Sequence, residues 1–127
     1  MTKEDLIKEC LKFENCTASN PYGPDVEVMK NEKGKSFALI GVCSEADTKS
    51  ILKNCDQNAP VNVGDLFITL KCPPALIIVL REKYKAVIPG YYSNKNHWNT
   101  IILGKDVPNE EVKTMINMSF ELVGGKK

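Results

Sequence analysis

Leu6, Ile7, Cys10 and Leu11 recur every three or four positions, with Lys3, Glu4, Lys8, Glu9 and Lys12 on the other side, so the chain opens on an amphipathic helix. The loop CTASNPYGPD (residues 16–25), dense in Pro, Gly, Asn and Asp, breaks that period. Beyond it the period becomes two. Val26 and Val28 alternate with Asp25, Glu27 and Lys30, NEKGK makes a turn, and SFALIG reads as a second strand, which together predict a β-hairpin. Residues 44–65 are polar, and ADTKSILKNC (46–55) fits a short helix ahead of the loop at Pro60 and Gly64. LFITLKC (66–72) is the third strand.

Pro73 and Pro74 open a helix through about Tyr84, with Leu76, Ile77, Leu80 and Tyr84 as its expected buried stripe. A short extended piece at Val87 and Ile88 leads into PGYYSNKNHWN (89–99), and NTIIL (99–103) reads as the last strand. Pro108 starts a closing helix with Val112, Met115, Ile116, Ser119, Leu122 and Val123 on one face. Glu110 and Glu111 suit the positive end of its dipole, and Gly124 and Gly125 end it. Helices therefore do not alternate one to one with strands. That order predicts an α+β fold, two layers arranged α-β-β-β-α-β-β-α, with a mostly antiparallel sheet packed by helices.

A chain of 127 residues holds one hydrophobic core and not two, so a single domain over residues 1–127 is expected, with residues 44–65 as a variable insertion. Apolar residues at 43% and charged ones at 26% argue against disorder. The N-terminus has no basic head followed by an apolar stretch, and the longest apolar run, residues 75–80, falls far below the roughly 18 residues of a membrane span. A cytoplasmic monomer with no membrane partner is the expectation. Five cysteines without a C-x-x-C pair agree with reduced thiols rather than a disulfide framework.

The charge is unevenly distributed. Residues 1–65 carry 8 Lys against 11 acids, whereas residues 66–105 carry Lys71, Arg81, Lys83, Lys85, Lys95 and Lys105 against Glu82 alone. This basic stretch surrounds PGYYSNKNHWN, which holds the chain's only histidine and only tryptophan. Two readings stand: a solvated helix face, or a patch that attracts a phosphate-bearing partner.

Enzyme chemistry finds no motif. His97 is the only imidazole, no serine sits in a G-x-S-x-G setting, and Cys72 and Cys55 are nucleophile candidates by elimination only. One His and five scattered Cys lack the spacing of a zinc site, so no metal is expected. Gly34-Lys35-Ser36 lacks the first glycine of a phosphate loop, Met29 standing there, and it falls in a hairpin. There is no dinucleotide fingerprint, so no cofactor and no catalytic residue are assigned.

NPYGPDVEVMK with SFALI, and LKCPPALIIVLREKYKAVIPGYYSNKNHWNTIIL with VPNEEVKTMINMSFELV, resemble the MmcQ/YjbR family of small bacterial proteins. Its specific signature is a tyrosine-containing turn after Pro-Gly, then Asn94, Lys95, Asn96, His97, Trp98 and Asn99. The resemblance implies a fold like that of frataxin-type and secretion-chaperone proteins, a shorter linker where this chain has residues 44–65, and DNA binding through a double-wing arrangement. The matched positions are Tyr22, Gly23, Lys71, Pro89, Gly90, Tyr91, Asn94, Lys95, His97, Trp98 and Asn99. Lys71 and Lys95 would contact phosphate, Asn94 and Asn99 phosphate or base edges, and Tyr91 would stack on an exposed base, with Arg81, Lys83, Lys85 and Asn96 completing the surface. Alternatively Asn94 and Asn99 cap the turn, His97 bonds a carbonyl, and Trp98 packs beneath the sheet, so that Tyr22, Gly23, Pro89, Gly90, His97, Trp98 and Asn99 are structural. A protein-interaction or chaperone-like module without nucleic acid is the alternative function, through exposed sheet edges.

Overall fold

The computed structural model describes residues 1–124; Gly125 lies outside the described residues. Its elements are α1 (Lys3–Leu11), β1 (Thr17–Ser19), β2 (Val26–Lys30), β3 (Ser36–Val42), α2 (Glu45–Asn54), β4 (Leu66–Lys71), α3 (Pro74–Lys83), β5 (Val87–Pro89), β6 (Trp98–Ile102) and α4 (Asn109–Leu122). The strands form one six-stranded antiparallel sheet in the order β1-β2-β3-β4-β6-β5. This is the α+β fold expected, with one strand and one helix more than the order α-β-β-β-α-β-β-α: β1 is added, and the short helix read at 46–55 stands as α2 between β3 and β4. β1 lies inside the segment predicted to be loop, because three residues of Thr-Ala-Ser show no apolar alternation to read.

The register sorts the sheet's two faces. Ala38, Leu70 and Asn99 stand in one row, with Ile40, Ile68 and Ile101 in the next, and these point at the helices. α4 and α1 cover β3 and β4 there, and α3 lies across β6 and β5. Phe13, Phe37 and Phe120 join this side in a ring cluster, Phe13 stacked on Phe120 with centroids 3.9 Å apart and Phe37 edge-on at 5.2 Å. Ile77 and Tyr84 are buried as expected, but Leu76 and Leu122, placed in buried stripes by periodicity, are exposed, together with Ile78 and Val79. α3 sits at the β5 end of the sheet, and its outer flank is exposed at Leu76, Ile78 and Val79.

Phe37 lies on that side through an irregularity. The β2–β3 register slips between Met29 and Lys30, so that Met29 faces Ala38 while Lys30 faces Ser36, leaving Phe37 without an opposite residue. A bulge of this kind lets two successive side chains share a face. It also leaves the Phe37 carbonyl and the Lys71 N–H without each other. The fully buried Ser119 hydroxyl of α4 fills the gap, donating to Phe37 O and accepting from Lys71 N at 2.9 Å. Buried Asn31 fastens the same hairpin: its Oδ1 accepts from the N–H groups of Lys33 and Lys35, and its Nδ2 donates to Val123 O.

The opposite face carries Val28, Leu39, Thr69 and Thr100 in one row, and Gly41, Phe67 and Ile102 in the next. Gly41 is required by its neighbour, because a Cβ there would stand 2.7 Å from the buried Phe67 ring. Gly41→Ala should therefore destabilise the fold by about 1–3 kcal/mol through overpacking. Urea denaturation of Gly41→Ala, Phe67→Leu and the double variant checks this, with the double costing less than the two singles together.

Candidate functional site

The loop between β5 and β6 is closed by backbone geometry and by one arginine. Pro89 pairs with Asn99, and the Gly90 N–H donates to Trp98 O at 3.0 Å. A Cβ on Gly90 would lie 2.9 Å from both Cβ and the carbonyl oxygen of Trp98, so the strands approach this closely only with glycine. Arg81 reaches over from α3. Its Nε donates to Asn99 Oδ1 at 2.6 Å and its Nη2 to Trp98 O at 3.2 Å and to Lys95 O. The buried Asn99 completes the link by donating from Nδ2 to Ile77 O.

This geometry redistributes the residues that sequence placed on one binding surface. Arg81 is turned inward, and Asn99 is buried rather than available to a ligand or to a turn cap. Lys83 lies 5.2 Å from the Tyr84 ring, while Asp106 accepts from the Lys85 backbone N–H. Asn94 does brace the turn, its Oδ1 accepting from Asn96 N and its carbonyl from His97 N and Trp98 N. Lys95 and Asn96 are exposed, Lys95 with its Nζ 3.4 Å from Gly90 O. His97, expected as a satisfied inner residue, is exposed; its own carbonyl accepts from Cys72 N.

Of the two adjacent tyrosines, the one expected to stack on a base is buried and its neighbour is exposed. Tyr91 is 8% exposed, its ring edge-on to Phe67 at 5.8 Å and its N–H donating to Thr100 Oγ1, so it belongs to the core and offers no face to a base. Tyr92 is 58% exposed and adopts φ 68°, the left-handed region that costs a non-glycine residue roughly 1–3 kcal/mol. Both hydroxyls donate to Asp47 Oδ1, at 2.7 and 3.1 Å. Sequence reading missed Asp47, although Ser44-x-x-Asp47 carries the signal of a helix start. It forms the α2 capping box, Oδ2 accepting from Ser44 N and the Asp47 N–H donating to Ser44 Oγ. Burial alone would raise the Asp47 carboxyl, but hydrogen bonds from Ser44 and the two tyrosines outweigh it and hold it below its ordinary range. Burial, with the hydrogen bonds to Tyr92 and Asp47, pushes the Tyr91 phenol up.

Beside this cluster, the second face of the sheet is left open where α2 does not reach. A cleft of about 120 Å³ has Val28, Leu39 and Ser36 as its floor and Tyr22, Tyr92 and Trp98 around it. Trp98 is half-buried at this rim and does not pack under the sheet. The Tyr22 ring, 73% exposed, stands 6.4 Å from that of Tyr92 and only 6° from parallel. Cross-strand pairing sets Lys71 beside Trp98 and Lys30 beside Ser36 on this face. Neither lysine has an ion-pair partner among the described residues. A wider cleft of about 410 Å³ runs between α1 and the start of α4, but there Glu9 pairs with Lys12 and Lys113, and Glu110 with Lys113.

The five thiols are unpaired, and burial pushes Cys10 and Cys43 up to about 12 and raises Cys55 and Cys72. No group of three or more His, Cys, Asp or Glu is placed to hold a metal ion, and no helix is long and apolar enough to cross a membrane, among the described residues.

Two outcomes follow for the loop. Arg81→Ala should cost about 1–3 kcal/mol, because it strands the buried Asn99 oxygen, and Arg81→Lys should restore only part, lacking the fork that meets three oxygens; denaturant titration measures both. The raised Tyr91 phenol stabilises fully below the ordinary value of 10.0. Above it the unfolded chain ionises while the folded one holds its proton, so stability falls as pH rises. Melting temperatures between pH 8 and 11.5 should decline less steeply for Tyr91→Phe than for the parent.

The sequence and fold have counterparts among known proteins. The uncharacterised protein YyaQ of Bacillus subtilis is 38% identical over 129 residues, 96% of this chain and 98% of its own length. The uncharacterised protein YbdF of Escherichia coli O157:H7 is 30% identical over 103 residues, 81% of this chain and 68% of its own. A crystal structure of a Pseudomonas syringae protein superposes with a TM-score of 0.76 at 25% identity, covering 96% of this chain and 98% of that one. One from Deinococcus radiodurans, with the domain DUF419, gives 0.74 at 25% identity over 96% and 78%. The YjbR family model matches residues 11–122, and the chain belongs to the YjbR family.

Proposed function

We propose that the protein is a cytoplasmic, monomeric, non-catalytic module that binds single-stranded nucleic acid on the open half of the second sheet face. One observation carries this reading: three rings, Tyr22, Tyr92 and half-buried Trp98, share that face with Lys30 and Lys71, neither of which has an ion-pair partner among the described residues. Bases stack on aromatic faces and lysines attract phosphates, and a paired duplex keeps its bases stacked within itself. The DNA-binding role implied by the family resemblance is thereby narrowed to an unpaired strand. Lys95, Asn94 and Asn96, exposed on the adjoining loop, extend the surface. Five unpaired thiols fit a reducing compartment, and the exposed imidazole of His97 has no hydrogen-bonded nucleophile beside it among the described residues.

A second reading, a protein-interaction module, is favoured by the exposed apolar flank of α3 at Leu76, Ile78 and Val79. The two separate by mutation: Ile78→Glu leaves strand binding unchanged and abolishes association with a protein partner.

Anisotropy titrations of a labelled 12-nucleotide single strand and the matching duplex test the first reading. The single strand should bind more tightly, and its affinity should fall steeply between 50 and 200 mM salt. Lys71→Ala should weaken it several-fold and lower the salt slope by about one. Absence of binding at low salt, or preference for the duplex, would sink the proposal.

A further inference from the structure

We infer that Tyr22 and Tyr92 are the two walls of a slot that takes one unpaired base, a flat heterocycle carrying phosphate. The inference rests on the reading of this face as a nucleic-acid surface and deepens it by naming where a base goes. Atoms of stacked rings sit best about 3.5–4.0 Å apart, so a flat ring between two others needs about 7 Å. The tyrosine centroids stand 6.4 Å apart with planes 6° from parallel, so the gap between the ring planes is at most 6.4 Å and the walls must move apart by at least about 0.6 Å to admit a base. The cleft of about 120 Å³ beneath them is worth a few water molecules of ~30 Å³ each, the scale of one heterocycle.

The walls are unequal in a way that suits this role. Tyr92 is the fixed wall: its backbone is held in the left-handed region, its hydroxyl is bonded to Asp47, and its ring lies against that of Tyr91, centroids 4.1 Å apart. An exposed residue kept in an unfavourable backbone conformation by two neighbours is a feature of binding sites. Tyr22 is the adjustable wall. It stands on the turn closed by Gly23 N to Asn20 O, and its ring is the more exposed of the two. The floor of Val28 and Leu39 favours an apolar edge over a charged one, and Ser36 supplies one hydroxyl. Three aromatic rings also form cages for quaternary ammonium groups, but Lys30 and Lys71 on the same face repel a cation and attract the phosphate of a nucleotide.

A free nucleotide and a strand share this chemistry, and one set of titrations separates them. Trp98 is the chain's only tryptophan and lines the cleft, so its fluorescence reports occupancy. The probes are AMP, ribose 5-phosphate, a dA12 strand and a 12-unit abasic strand with the same phosphates. AMP should quench Trp98 where ribose 5-phosphate does not, and dA12 should bind at least ten-fold more tightly than the abasic strand, about the loss of one base–aromatic stack. Tyr22→Ala, on an exposed loop, and Tyr92→Gly, which relieves the left-handed strain as it removes the ring, should each abolish that difference while the protein melts cooperatively. A preference for dA12 over the abasic strand that survives unchanged in Tyr22→Ala and Tyr92→Gly overturns the slot and leaves the strand reading standing. Quenching by AMP that needs Tyr92, without strand binding, supports the slot and overturns the strand reading. No response to any probe overturns both.

Discussion

Arg81 is the constraint on which the candidate site depends. A single guanidinium satisfies the side chain of a buried asparagine and two backbone carbonyls, those of Lys95 and Trp98, and so joins α3 to both sides of the loop between β5 and β6. A planar fork with five N–H donors meets three oxygens in one conformation, whereas an ammonium group has no fixed fork to present. With the loop base fixed this way, and Gly90 pressed against the Trp98 backbone, the residues between have little freedom. Tyr91 turns in against Phe67, Tyr92 turns out over the cleft, and Trp98 stands at the rim. The same contacts turn Arg81 inward, so the positive charge around the cleft is smaller than the sequence suggests, and it lies at Lys30 and Lys71 on the sheet and at Lys95 on the loop.

The bulge at Phe37 does for the sheet what Arg81 does for the loop. Without it, strict alternation would place Phe37 on the open face and remove one ring from the cluster with Phe13 and Phe120. With it, Phe37 and Ala38 both serve the helix side, and Ser36 and Leu39 are left to floor the cleft. The cost is a broken rung between β3 and β4. Ser119 bridges that rung from α4, a polar residue fully buried because a hydroxyl can accept and donate at one point. An apolar side chain there would leave a buried N–H and a buried carbonyl unpaired, each costing about 1–3 kcal/mol.

The order of the main helices and strands could be read in the chain because Val26 and Val28 alternate with polar neighbours, Leu66–Cys72 is a mostly apolar run of strand length, and Val112, Met115, Ile116 and Ser119 recur at helical spacing. What could not be read depends on contacts between distant segments. β1 has no alternation of its own and exists because Lys30, Met29 and Val28 offer it an edge. Tyr91 and Tyr92 are alike in type and adjacent, and only the pairing of Pro89 with Asn99 decides which faces inward. Arg81 counted as a surface charge because nothing nearby in sequence announces three oxygens waiting for it. Leu76 failed in the other direction: its period is helical, but the flank of α3 on which it falls lies beyond the last strand.

Asp47 shows how far the site extends beyond the motif that identifies the family. It lies in the first turn of α2, where it completes the capping box with the N-cap residue Ser44, and its carboxylate receives both tyrosine hydroxyls of the loop between β5 and β6. The motif residues from Pro89 to Asn99 shape the loop and its closure. The direction in which Tyr92 presents its ring is set by a carboxylate some 45 residues earlier. Because that carboxylate also caps its helix, the helix start, the buried phenol of Tyr91 and the exposed ring of Tyr92 form one hydrogen-bonded unit. A change in α2 therefore reaches the cleft without touching it, and the same loop motif, set against a different segment in place of residues 44–65, would present a different surface.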